Sequence, residues 1–339
     1  MAVRVGINGF GRMGRSLLRA ARQRDLGLEI VAVNDLADPA ALARLLARDS
    51  IYGRYPEPVS CVGAEMVLGE DRITMLAEPE IKALPWRDLE VDVVVECTGR
   101  FTARELASGH LDAGASRVVV SAPSKGADAT FVMGVNDDTF DPERHLVVSN
   151  ASCTTNCLVP MVKVLDDAFG ITRGYMTTVH AYTGDQRLVD AVHKDPRRAR
   201  AAAINIIPTT TGAARSTGEV LPHLAGRLDG IALRVPVPDG SMTDLVATVE
   251  ESPDAAEVHD AFRRAASTGP LAGRLEYADD GIVSSDIVGD PASCIFDAEL
   301  TMAGEHLVKV CGWYDNEWGY ANRLAELTAL VGAVSGEGR

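Results

Sequence analysis

At 339 residues with 46 % hydrophobic content, the chain can bury a large core and is expected to form two domains. Its formal net charge of −15 excludes sequence-independent nucleic-acid binding, which needs a basic face, but leaves room for small anions held by local arginines. The scattered cysteines (Cys61, Cys97, Cys153, Cys157, Cys294, Cys311) make no disulfide framework, no apolar run reaches the ~18 residues of a membrane span, and no leader precedes the first strand, so a cytoplasmic protein without a membrane is expected.

In chain order, Val3 to Ile7 reads as a buried strand. Asn8-Gly9-Phe10-Gly11-Arg12-Met13-Gly14 follows, with Gly9, Gly11 and Gly14 at G-x-G-x-x-G spacing, and Arg15 to Arg22 continues as a helix. A strand, glycine turn and helix in that order let the backbone approach a pyrophosphate at a helix N-terminus. A second apolar strand, Ile30 to Val33, ends in Asn34-Asp35, about twenty residues past the last glycine. An acid there accepts both ribose hydroxyls of an adenosine and repels a 2′-phosphate, which favours NAD over NADP. The alternation goes on with a helix over Pro39 to Arg48, a strand over Val91 to Cys97, a helix over Arg104 to Ala113 and a strand over Arg117 to Ser121. Thr98 and Ser121 stand at strand ends, where doubly wound sheets bind ligands. Ser50 to Trp86 is expected to be a β-rich excursion.

The apolar run Leu146 to Val148 then gives way to Ser149-Asn150-Ala151-Ser152-Cys153-Thr154-Thr155-Asn156-Cys157 and a helix-like run to Phe169. Ser152 and Asn150 are N-cap types, so Cys153 is expected at a helix N-terminus, where unsatisfied N–H groups and the helix dipole lower a thiol pKa. Cys157 lies one turn on, and the local sequence supplies no further ligands for zinc, so no metal is expected.

The second half has a different texture. Tyr175 to Ala181, Ile231 to Val237, Leu245 to Glu250 and Leu307 to Trp313 read as strands, with helices over Ala255 to Ala266 and Ala213 to Leu224. This predicts an α+β domain with a mostly antiparallel sheet beside an α/β, doubly wound Rossmann domain. His180 sits on the first of these strands and would act with Cys153 as a thiolate–imidazolium pair. Tyr182 to Ala203 is polar and carries Lys194, Arg197, Arg198 and Arg200; Thr209-Thr210-Thr211-Gly212 is a hydroxyl-rich turn. Arg234 lies inside an apolar strand, where an arginine is costly unless paired, and so suits a phosphate or carboxylate. A final amphipathic helix runs from Ala321 to about Leu330, and Ser335 to Arg339 is expected to be frayed.

Gly6 to Arg12, Ser149 to Cys157, His180-Ala181-Tyr182-Thr183 and Trp313-Tyr314-Asp315-Asn316-Glu317 together resemble the phosphorylating glyceraldehyde-3-phosphate dehydrogenases of the bacterial-like type I, in order and spacing from Val3 to the final helix. The resemblance implies oxidation of glyceraldehyde 3-phosphate with NAD and inorganic phosphate to 1,3-bisphosphoglycerate, through a cysteine hemithioacetal and thioester, in glycolysis. It implies Cys153 as nucleophile and His180 as base. It implies Ser152, Thr154, Thr183, Arg198, Thr211, Gly212 and Arg234 as holders of the two phosphates. For the cofactor it implies Gly9, Gly11, Arg12, Met13, Asp35, Thr98, Ser121 and Asn316. It further implies an NAD-binding domain over residues 1–151 joined by the last helix (about 317–335), a catalytic domain over 152–316, and a homotetramer whose loop Tyr182 to Arg200 borders a neighbour. Departures from the family pattern fall at Tyr52, Val159, Glu78-Pro79 and Ala191-Val192. The alternatives are an erythrose-4-phosphate dehydrogenase, an inhibitor-insensitive isoenzyme, or a non-enzymatic cofactor-binding protein.

Overall fold

The structure, a computed structural model, describes residues 2–334 and divides the chain into two compact units. The expected fraying of Ser335 to Arg339 lies outside the described residues.

The first unit comprises the chain up to Phe131, Thr139–Ala151 and the chain from Ala321 on. Its elements are β1 (Val3–Asn8), α1 (Arg12–Gln23), β2 (Leu28–Asn34), α2 (Pro39–Ala47), the short pair β3 (Arg48–Asp49) and β4 (Gly53–Arg54), then β5 (Val59–Val62), β6 (Glu65–Leu68) and β7 (Asp71–Leu76). They continue with β8 (Val93–Glu96), α3 (Arg104–Ala107), α4 (Gly109–Asp112), β9 (Arg117–Val120), β10 (Ala129–Thr130) and β11 (Val147–Ser149). One nine-stranded sheet has the order β10-β11-β9-β8-β1-β2-β7-β6-β5. It is parallel from β10 to β7, and β7, β6 and β5 pair antiparallel, the β-rich excursion expected between Ser50 and Trp86. The order reverses at β1, so the carboxyl ends of β1 and β8 form the switch-point crevice of a doubly wound sheet. Trp86 is fully buried, its ring so close to β1 that a Cβ on Gly6 would meet it at 2.9 Å.

One expectation in this unit fails in detail. Arg104 to Ala113 forms two single turns rather than one helix. The chain closes on i→i+3 bonds on either side of Ser108 (Leu106 N–H to Ala103 O, Leu111 N–H to Ser108 O), and a Cβ on Gly109 would collide with Ile81 at 2.5 Å.

The second unit comprises Val132–Asp138 and Ser152–Tyr320. It contains α5 (Cys153–Phe169), β12 (Ile171–Ala181), β13 (Ile207–Thr210), α6 (Ala213–Val220), β14 (Leu228–Val235), β15 (Ser241–Val249), α7 (Ala255–Ser267), β16 (Leu275–Ala278), β17 (Cys294–Gly304) and β18 (Leu307–Tyr314). The sheet order is β13-β14-β12-β15-β18-β17-β16. Four of its six pairings are antiparallel; β12 with β14 and β16 with β17 are parallel. The apolar face of α5 (Leu158, Met161, Leu165) packs on the sheet with α7, and Phe262 stacks on Phe296 with ring centroids 3.9 Å apart. The helix expected to reach Leu224 stops at Val220, because Pro222 has no N–H to continue it and a 3₁₀ turn follows. β13, β16 and β17 were not expected.

The last helix, α8 (Trp318–Ala333), belongs from Ala321 onward to the first unit. There Glu326 accepts from Arg24 at 2.6 Å and from Arg323 at 2.8 Å, and Gly332 lies so close to Val3 that a Cβ would meet it at 2.2 Å. Among the described residues no helix is long and apolar enough to cross a membrane.

Candidate active site and cofactor cleft

Ala151, at φ 54, is one of few non-glycine residues in the left-handed region, and it turns the chain sharply into α5. Ser152 is the N-cap: its Oγ accepts the Thr155 N–H at 3.0 Å and lies 2.7 Å from the Thr155 hydroxyl. Cys153 is therefore the first residue of the helix, as expected. Its Sγ lies 3.4 Å from Nε2 of His180, which comes from β12 and is 3 % exposed. Arg234 stands beside His180 in register on β14.

Hydrogen bonding assigns the His180 tautomer. Nδ1 lies 2.7 Å from the Ala181 carbonyl, a contact that requires Nδ1 to carry a proton and donate it. Arg234 donates to the same carbonyl at 3.0 Å and to the Thr183 hydroxyl at 3.3 Å. The 2.9 Å between Arg234 Nη1 and His180 Nδ1 is then the spacing of two donors around one acceptor. Nε2 is left as a lone pair facing the thiol, the arrangement a general base needs.

The electrostatics weigh against one expectation. Burial pushes the Cys153 thiol above its usual pKa, and although the Arg234 charge and the Thr154 hydroxyl and N–H pull it down, burial prevails. Burial, then the Arg234 charge, lowers His180 to about 3. Both shifts favour a thiol beside a neutral imidazole over a thiolate–imidazolium pair in the free chain. A helix N-terminus lowers a thiol pKa only where desolvation does not outweigh it.

Around Arg234 the structure gathers several of the expected phosphate holders. Arg198 donates to Thr209 at 2.9 Å and to Asp185 at 2.5 Å, and Asp185 also accepts the Thr183 hydroxyl at 2.5 Å. Burial raises the Asp185 pKa, but Thr183, Arg198 and Arg234 together hold it below the carboxylate range. Arg234 Nε is buried without a protein acceptor, the signature of a donor waiting for an anion. Two expected holders are committed elsewhere: the Ser152 hydroxyl caps α5, and the Thr154 hydroxyl pairs with Tyr314 at 2.9 Å. The Thr211 hydroxyl accepts the Ala213 N–H at 3.2 Å, and Gly212 is the uncapped N-cap of α6, so both sit at that helix N-terminus. Asn316 accepts the Ser241 hydroxyl at 2.6 Å through Oδ1, and Ser241 accepts the Ala181 N–H at 3.1 Å. This turns the Asn316 amide N–H₂ group away from Ser241.

In the first unit a cleft of about 270 Å³ is lined by Asn8, Gly9, Gly11, Asn34, Asp35, Glu78 and Thr98, among others. Gly9 has φ +96, and a Cβ there would sit 2.7 Å from the Thr98 nitrogen. A Cβ on Gly11 would meet nothing within 4 Å, so its absence opens the cleft at the N-terminus of α1, which has no side-chain cap. Asp35 accepts the Phe10 N–H at 2.8 Å and the Ala37 N–H at 3.0 Å, which fixes its carboxylate at the end of β2. The cradle fits a dinucleotide: backbone donors for a pyrophosphate and a held carboxylate for a ribose. Arg12 is engaged by Asp49 and lies over the Tyr52 ring at 5.7 Å, Met13 is half-buried in the first turn of α1, and Ser121 donates to the Glu96 carbonyl at 2.9 Å. None of these three lines the cleft.

Sequence reading missed Asp185, Ser241 and Tyr314, whereas Thr209 belongs to the hydroxyl-rich turn it singled out. Two gave a signal: Asp185 lies two residues from Thr183, and Tyr314 lies inside the aromatic motif. Ser241 acts through pairings distant in sequence and gave none.

Two protein-family models match the chain: the glyceraldehyde 3-phosphate dehydrogenase NAD-binding domain over residues 3–104 and the C-terminal domain of the same family over residues 152–316. The chain is 59 % identical to glyceraldehyde-3-phosphate dehydrogenase 2 of Streptomyces arenae over 333 residues, 98 % of this chain and 99 % of that protein. It is 57 % identical to the glyceraldehyde-3-phosphate dehydrogenases of Streptomyces coelicolor and Mycolicibacterium smegmatis, again over 98 % of this chain and 99 % of each.

Proposed function

The chain belongs to the glyceraldehyde-3-phosphate dehydrogenase family, and from that premise we propose that Cys153 is its nucleophile, His180 its base and Arg234 the centre of its anion site. The enzyme is NAD-dependent and carries out the oxidative phosphorylation of glyceraldehyde 3-phosphate in glycolysis. The observation that carries the assignment is the 3.4 Å contact of Cys153 Sγ with the Nε2 lone pair of His180, at a helix start beside Arg234.

Cys153 adds to the aldehyde carbonyl as its proton passes to Nε2, which hands that proton on to the carbonyl oxygen, so that the hemithioacetal forms on sulfur with its hydroxyl facing a neutral Nε2 again. His180 then takes the hemithioacetal hydroxyl proton, which drives electron density toward the carbon–hydrogen bond. NAD, held by the cleft around Gly9, Gly11 and Asp35, would supply the hydride acceptor. The thioester left on Cys153 is attacked by inorganic phosphate, and Cys153 departs as thiolate. Arg198, Arg234 and Thr183 supply the charge and donors that substrate and inorganic phosphate need, helped by Thr211 and Gly212 at the start of α6. Ser152 and Thr154 contribute chiefly by fixing the helix start. Gly9, Gly11, Arg12, Met13, Asp35, Thr98 and Ser121 form or support the cofactor site, and the Asn316 amide addresses the nicotinamide carboxamide.

The division into a nucleotide-binding domain (1–151 with the last helix) and a catalytic domain (152–316) follows the same reading. So does a homotetramer: Leu188, Val189 and Val192, 93 % exposed in the last case, leave apolar surface on the polar loop that a second copy would cover. Six free thiols fit a reducing, cytoplasmic setting. Initial rates of NADH formation from glyceraldehyde 3-phosphate, with and without inorganic phosphate, test the proposal alongside erythrose 4-phosphate. Strong dependence on phosphate and preference for the triose are expected. Equal rates without phosphate, or on the tetrose, contradict it.

A further inference from the structure

Three polar residues stand in register on adjacent parallel strands: Asn34 on β2, Asn8 on β1 and Glu96 on β8. Each is the last residue of its strand and each is buried, Glu96 to 1 % exposure. Positions of this kind are ordinarily apolar. Here the side chains form a continuous ladder. Asn34 Nδ2 donates to Asn8 Oδ1 at 2.8 Å, and Asn8 Nδ2 donates to Glu96 Oε2 at 2.6 Å.

His110, fully buried on α4, extends the ladder. Its Nδ1 lies 3.0 Å from the Trp86 indole nitrogen, which can only donate, so Nδ1 accepts and the ring proton sits on Nε2. Nε2 donates to Glu96 Oε2 at 3.1 Å. Two donors thus share one oxygen, and the 3.4 Å between Asn8 Nδ2 and His110 Nε2 is their spacing. The other oxygen of Glu96 takes the Thr98 N–H at 2.8 Å and the Thr98 hydroxyl. At the far end Asn34 grips Glu78 twice, donating to its carbonyl at 2.9 Å and accepting its N–H at 2.8 Å.

The two ends of the ladder are therefore walls of the cleft. Asn8, Asn34, Glu78 and Thr98 line it, whereas Glu96, His110 and Trp86 lie behind it. Gly9 rests directly on the Cys97–Thr98 peptide, so a shift of Thr98 displaces the glycine turn. If only a filled core were needed, apolar side chains would serve without the cost of burying a carboxylate. We propose that Glu96 and His110 are positioning residues for NAD: the Trp86–His110–Glu96–Asn8–Asn34 ladder holds the glycine turn, Thr98 and Glu78 in the geometry that binds the cofactor. The inference rests on the reading of this cleft as the cofactor site.

The test uses the full chain and NAD as probe, with Kd by calorimetry, kcat and KM for each substrate, and the unfolding midpoint. Glu96→Gln sets an amide N–H₂ against donors on one side of the ladder. Its Kd for NAD rises about tenfold, with kcat at saturating NAD within about threefold of wild type and KM for the aldehyde unchanged. His110→Gln can still accept from Trp86 and donate to Glu96, and keeps Kd within about threefold; His110→Leu does neither and behaves like Glu96→Gln. The His110 pair carries the test if Glu96→Gln does not fold. A variant with a lowered unfolding midpoint but a Kd within about twofold of wild type overturns the proposal, as does an equal loss in His110→Gln and His110→Leu. Asp35→Ala separates the two readings, because it removes a ribose acceptor without touching the ladder. Weakened NAD binding there with an unchanged Kd in Glu96→Gln defeats the positioning role alone. Unchanged binding in Asp35→Ala defeats the cleft assignment and the proposal with it.

Discussion

Arg234→Met removes the cation beside His180 while keeping most of the apolar stem. The guanidinium touches the imidazole at 2.9 Å, which puts the centres of the two charges roughly 5–6 Å apart when the ring is protonated. At an effective dielectric of about 20 that repulsion is about 3 kcal/mol, or about two pH units. Removing it raises the His180 pKa from about 3 by about two units, still short of the ordinary imidazole value because burial, the larger cause, remains. The Cys153 thiol moves the same way for the opposite reason, since losing a nearby cation disfavours the thiolate. Two titrations follow: the His180 ring by nuclear magnetic resonance, and the rate of Cys153 alkylation by iodoacetamide against pH, read by mass spectrometry. Both midpoints rise in the variant. An unmoved His180 midpoint, or a Cys153 midpoint that falls, refutes the electrostatic account.

Wild-type enzyme prefers NAD to NADP by on the order of a hundredfold, because a 2′-phosphate would set an anion against Asp35; Asp35→Ala narrows the ratio of kcat/KM values mainly by losing NAD affinity. Comparable wild-type rates with both cofactors contradict this. Gly9→Ala forces a side chain at φ +96 into Thr98 and lowers both the unfolding midpoint and NAD affinity, at a strain cost of about 1–3 kcal/mol. Gly11→Ala meets no atom in the free chain, so its midpoint holds and only NAD titration shows a loss; equal midpoints for the two variants contradict the contrast.

Local chemistry made parts of this enzyme readable in advance. The start of α5 at Cys153 follows from Ser152 and the residues around it, and the crevice at β1 follows from strand, glycines and helix in a row. The sequence pattern of Arg104 to Ala113 resembles one helix because nothing local reports the press of Ile81 against Gly109. β17 escaped notice because its buried half, Cys294 to Ala298, carries Asp297, which is bonded to the Trp313 indole at 2.9 Å, and alternation resumes only beyond it. Non-local pairing hid most. Glu96 meets Asn8 across 88 positions and Thr154 meets Tyr314 across 160, so neither bond leaves a trace in spacing. The tuning of the thiol is illegible for a related reason: the helix start is local, whereas the burial that raises its pKa is set by the fold.

The central claim is that the covalent intermediate is carried by Cys153 and no other sulfur. Wild-type enzyme is mixed with glyceraldehyde 3-phosphate and NAD in phosphate-free buffer, quenched in acid, and its peptides weighed. The account predicts the added mass of a phosphoglyceryl thioester on Cys153, discharged by inorganic phosphate, and none in Cys153→Ser; Cys157, fully buried with its Sγ 3.5 Å from the Gly312 carbonyl, stays unmodified. An acyl group on Cys157, or one that survives phosphate, would contradict it.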